Sequence, residues 1–112
     1  MPTLAQTQLV QAQLPIHASE AATYTASGGT VLVTQIILCN TSASTVTVRI
    51  SLTNDGASST TAANRIFHEL SMTAQETIML MPDLLVPSGH KVWASASTGN
   101  VINAVLTGII DS

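Results

Sequence analysis

The stretch Thr45-Val46-Thr47-Val48-Arg49-Ile50-Ser51-Leu52 alternates polar and apolar residues without a break. A period of two is the signature of a β-strand with one buried face, because successive side chains leave a pleated strand on opposite sides. Val101 to Ile110 repeats the pattern, with Ile102, Ala104, Leu106, Gly108 and Ile110 on one face. The opposite face, with Val101, Asn103, Val105, Thr107 and Ile109, is itself partly apolar, so a second contact surface is expected there.

Thr30 to Cys39, Arg65 to Met72, Thr77 to Met81 and Lys91 to Ser97 are further strand candidates, rich in β-branched residues. Turn compositions separate them at Gly28-Gly29, Asn40 to Ser44, Asn54-Asp55-Gly56, Pro82-Asp83, Pro87-Ser88-Gly89 and Thr98-Gly99-Asn100. Six or seven short strands divided in this way define an all-β chain, a single antiparallel β-sandwich or a jelly-roll-like barrel. Asn54 to Asn64 reads as an exposed loop. Thr73-Ala74-Gln75-Glu76 has the form of a helix capping box, but Pro82 follows too soon for a helix, so a turn into a strand is expected.

Residues 1–23 fit neither a period of two nor one of 3.6. Leu4, Leu9, Val10, Leu14 and Ile16 stand among Gln6, Gln8, Gln11 and Gln13, and Pro15 falls near the end of the run. The expectation is an extended N-terminal arm over 1–23 and a sandwich domain over 24–112. The arm is either a frayed terminus or a segment that adds to a neighbouring subunit by strand pairing or groove filling.

Charged residues make up 8% of the 112 residues, against about 25% in an average soluble domain. Ser, Thr, Gln, Asn and Ala take their place, and neutral surface is less costly to remove from water than ionised surface. Such a chain suits lasting contact with protein. The net charge of -3, with Arg49, Arg65 and Lys91 as the positive residues, provides no basic stripe for nucleic acid. No apolar run is long enough to span a membrane, and no basic, then apolar, leader follows Met1, so synthesis in a cytoplasm without export is expected. Cys39, within Ile36-Ile37-Leu38-Cys39, reads as a small core hydrophobe.

No enzyme motif is found, and no catalytic residue, cofactor or metal is expected. His68-Glu69 begins like HExxH, but Met72 stands where the second histidine belongs. His17, His68 and His90 lack partners at metal-ligand spacing, and the carboxylates are scattered. Asn40-Thr41-Ser42 matches a glycosylation sequon, yet Asn40 is better explained as a left-handed or side-chain-bonded turn residue. Trp93 faces away from Val92, Ala94 and Ala96 along its strand, and is either a core anchor or an interface hot spot.

Tyr24-Thr25-Ala26-Ser27-Gly28-Gly29-Thr30, the strand end Ile36-Ile37-Leu38-Cys39-Asn40-Thr41-Ser42, Leu85-Val86-Pro87-Ser88-Gly89 leading into Val92-Trp93-Ala94-Ser95-Ala96, and a last strand through Asn103 to Gly108 resemble the small β-sandwich virion proteins of tailed bacteriophages. The resemblance covers Tyr24 to Ile110. It implies a non-enzymatic virion component assembled in a bacterial cytoplasm: a capsid cement or decoration subunit, or a small neck, tail or baseplate part that binds a receptor or glycan. It further implies a homotrimer or homodimer seated on major capsid protein or other virion proteins, without nucleic acid or membrane. Leu4, Leu9, Val10, Leu14, Ile16, Trp93, Val101 and Val105 are the candidate contact residues.

Overall fold

The computed structural model describes residues 6–54 and 60–111. Nine strands follow one another: β1 (Thr7–Gln13), β2 (Ala22–Thr25), β3 (Thr30–Asn40), β4 (Val46–Thr53), β5 (Arg65–Met72), β6 (Thr77–Leu80), β7 (Leu84–Val86), β8 (Lys91–Ala96) and β9 (Ile102–Asp111). Single 3-10 turns lie at His17–Ser19 and Ala62–Asn64.

All strand pairs are antiparallel and fall into two sheets. The first runs β1-β9-β3-β6, with β7 also on β3, and the second runs β2-β8-β4-β5. β6 and β7 occupy one strand position, broken between Leu80 and Leu84 where Pro82 donates no hydrogen bond and Asp83 takes a positive φ of 47°. Counted so, β1-β2 folds back along β9-β8, and β3-β4 folds back along β6/β7-β5. That winding is the jelly roll, one of the two architectures expected from the strand pattern.

The alternation in β4 works as its period requires. Val46, Val48 and Ile50 enter the space between the sheets, where they meet Val31, Val33, Ile36 and Leu38 of β3 and Ile102, Ala104 and Leu106 of β9. Asn40 closes one end of this core and is wholly buried at the end of β3. Its Nδ2 donates to the carbonyls of Ser44, Met72 and Thr73, and its Oδ1 accepts from Ser42. The side-chain-bonded turn expected at Asn40 is thus the clamp that ties the β3-β4 turn to the β5-β6 turn. At the latter, Thr73 N donates to the Glu76 carboxylate at 2.9 Å, and the chain turns straight into β6 rather than into a helix.

Residues 6–23 differ from the arm expected over 1–23, of which residues 1–5 lie outside the described residues. Thr7–Gln13 is an edge strand of the first sheet, paired with β9 from Thr7↔Gly108 to Gln13↔Asn103. Leu14 is wholly buried, its N–H bonded to the carbonyl of Ile102, and a boundary after residue 23 would cut β2. The cause is a bulge. The register shifts between Gln8 and Val10, so consecutive Leu9 and Val10 both pack on the core and the period of two is lost. Beyond Leu14 the chain crosses to the second sheet, where Ala96 N donates to the carbonyl of Pro15 at 2.9 Å.

Candidate protein-contact surfaces

The two sheets present very different outer faces. On the first, β3 lies between β9 and the β6/β7 position, and directly opposed residues share a side. Leu32 stands opposite both Leu85 and Ile109, and Ile37 opposite both Met79 and Val105. Two apolar rows therefore cross the sheet, Leu85-Leu32-Ile109 and Met79-Ile37-Val105, with the Gln35-Thr107 pair between them. Leu85 is 58% exposed, Met79 55% and neighbouring Met81 70%. A shallow hollow at one end is lined by Thr30, Leu32, Leu85, Ile109 and Asp111, and a more polar one by Gln6, Thr34, Gln35, Met81 and Asp83.

Among the described residues, Asp83 and Asp111 are the ionised side chains that border this face. Arg49, Arg65, Glu69 and Lys91 belong to the strands of the second sheet, Glu20 to the β1-β2 connection and Glu76 to the β5-β6 turn. Apart from Asp83 and Asp111, the charged side chains of the described residues are thus held away from this face. Covering that face requires almost no desolvation of ions.

The outer side of the second sheet is a polar network. Arg49 pairs with Glu69, which sits at a β5 bulge with a φ of 53°. His17 Nδ1 shares a hydrogen bond of 2.7 Å with Ser95 Oγ, and Glu20 accepts from both the N–H and the hydroxyl of Thr60. Burial and the Arg49 guanidinium hold the His17 pKa below its ordinary value, against the smaller opposing pull of Glu69. The Arg49 hydrogen bond lowers the pKa of Glu69.

The expected contact residues separate clearly. Leu4 lies outside the described residues. Leu14 is core, and Leu9, Val10 and Val101 are half-buried against it, so their apolar surface is largely spent within the chain. Trp93 is only 5% exposed and its indole N–H donates to Thr53 Oγ1 at 2.8 Å, which makes it an internal anchor on the outer side of β8. Ile16, 43% exposed, and Val105, half-buried on the first sheet, are left at the surface. Ile109 lies on the partly apolar outer face that the alternation of the last strand marks, whereas Leu32, Ile37, Met79 and Leu85 were not singled out from the sequence. The unbroken apolar run Ile36-Ile37-Leu38 was the available signal, since it puts Ile37 on the side opposite Ile36 and Leu38. Cys39 shares the outer side with Ile37, half-buried, rather than entering the core.

No group of His, Cys, Asp or Glu among the described residues could hold a metal, and no helix among them is long and apolar enough to cross a membrane.

The fold defined by these two sheets is that of a jelly-roll module. No protein family description matches the chain, and no curated protein matches it. Among solved structures it is similar to a chain of the T13 IBDV viral particle, an icosahedral virus, with a TM-score of 0.57 and 13% identity over 96% of this chain. The match spans 31% of that longer chain, and at this identity it is a likeness of fold.

Proposed function

We propose that this chain is a virion structural protein, a cement or decoration subunit that attaches to a capsid through the outer face of its first sheet. The observation that carries the reading is the pair of apolar rows, Leu85-Leu32-Ile109 and Met79-Ile37-Val105, on a face bordered by just two ionised side chains among the described residues. A surface of that kind is stable in water only at a cost, and large exposed apolar patches mark contact sites. The jelly-roll winding and the likeness to a chain of an icosahedral particle support a shell-building role, as does the resemblance to tailed-bacteriophage virion proteins. In this reading the chain acts by contact and carries out no catalysis. The buried, hydrogen-bonded Trp93 weakens the alternative of a receptor- or glycan-binding tail part, because a ring that is 5% exposed has no free face for a sugar.

The test is quantitative mass spectrometry of particles purified from the organism that carries the gene. Copies on the scale of the main shell subunit are expected. A few copies per particle would move the chain to the neck or tail, and none would overturn the reading. The double variant Leu85→Asp, Met79→Asp should keep its fold and lose particle association.

A further inference from the structure

Four strand edges close the two sheets, and they are protected very unequally. β5 is interrupted by register shifts around Arg49 and Ile50 of its partner and carries Arg65, His68 and Glu69. The β6/β7 edge is broken by Pro82 and the left-handed Asp83. β2 has four residues and a shift of its own. Bulges, charge, proline and shortness are the devices that keep sheet edges from pairing with other chains. β1 has seven residues, TQLVQAQ, with no charge and no proline. Its one bulge lies at Leu9, and Val10 to Gln13 run in unbroken register with β9.

We propose that β1 pairs antiparallel with β1 of a second copy of this chain, so that two first sheets join across a two-fold axis into one continuous sheet. At such an axis each residue meets residues of its own strand, and any charge would face its own copy. A wholly neutral strand meets that requirement. Gln11 and Gln13 are exposed on this edge and, with Ala12 and Asn103, line a shallow hollow. Amides both donate and accept, so a glutamine can hydrogen-bond to its symmetry mate. Pairing would also double the apolar outer face, because the rows on β3 and β9 would be repeated on the far side of the axis. The inference does not rest on a virion role, and the dimer would form in isolated protein.

Sedimentation equilibrium of the purified chain, combined with concentration-dependent amide exchange, tests it. The chain should dimerise, and protection of the β1 amides should rise with the dimer fraction. Gln11→Lys with Gln13→Lys places like charges about the axis and should raise the dissociation constant about tenfold or more. Ser71→Lys, on the β5 edge, should leave association unchanged. A monomer at every concentration would overturn the proposal, as would a dimer whose β1 amides exchange no more slowly than in the monomer. The exchange measurement decides the matter even if the lysine variant fails to fold.

Discussion

The indole N–H of Trp93 donates to the hydroxyl of Thr53 at 2.8 Å, across the β4-β8 pair and on the side of the sheet away from the core. Both residues are buried, so this is a polar contact shielded from water. Replacing Trp93 with Phe retains a ring but leaves the Thr53 hydroxyl without its donor, at a cost of about 1–3 kcal/mol. Trp93→Ala should cost ~3–5 kcal/mol. Urea unfolding followed by circular dichroism checks the ranking, and equal losses would show that ring packing adds nothing beyond the hydrogen bond, while no loss in the Phe variant would show that the bond contributes nothing.

Asn40 donates to three backbone carbonyls. Asn40→Ala removes all three bonds, the one to the Met72 carbonyl being buried, and should destabilise by about 1–3 kcal/mol. Asn40→Asp should be worse than Ala despite its closer shape, because a carboxylate would face those same oxygens. Thermal denaturation at neutral pH gives the order.

At Gly108 an added Cβ would collide with the backbone carbonyl oxygen of Leu32 and come within 3.0 Å of the Leu9 side chain. The β3 register shifts beside this point, between Val33 and Gln35, and brings the two backbones close. Gly108→Ala should therefore destabilise the fold by about 1–3 kcal/mol, whereas Ala usually strengthens a strand relative to Gly. A chemical melt showing a gain would refute the close approach.

Leu14→Ala should cost ~2–5 kcal/mol as a core truncation, while Ile16→Ala, at an exposed site two residues on, should change stability far less. Differential scanning calorimetry of the two variants distinguishes a built-in N-terminal segment from a loose one.

His17 leads to a pH dependence. Burial, then Arg49, lowers its folded pKa from the ordinary 6.5, with Arg65 adding to this and Glu69 and Glu20 opposing it. The unfolded chain therefore takes up the proton first. Stability should be full above about pH 6.5 and fall as the pH drops towards the folded pKa. Glu69, whose folded pKa is lowered from 4.5, removes further stability only at more acidic pH. In His17→Gln the upper part of the decline should vanish from melting temperatures taken across the range.

The strands were legible where nothing interrupted their period. Arg65 to Met72 matched its observed limits, and β3, β4, β6, β8 and β9 fell within a residue or two of expectation. β1 was hidden by its bulge at Leu9, and β7 by having only three residues. The apolar outer face was half legible. Val105 and Ile109 belonged to it, but the other members came into line only through pairings between distant strands, such as Leu32 with Leu85 and Ile37 with Met79. Alternation along one strand states which residues share a side and not which side remains uncovered. Trp93 shows the same limit, since its partner Thr53 is forty residues away.

In the first sheet, β9 lies between β1 and β3 and bonds to both. A ribosome makes this chain from β1 towards β9, so β1 and β3 emerge long before the strand that joins them. Until residues 102–111 clear the exit tunnel, that layer lacks its middle, and two hungry edges face the crowded cell. Pairing between such remote segments is slow to establish. That layer can close only when the ten residues of β9 have been made.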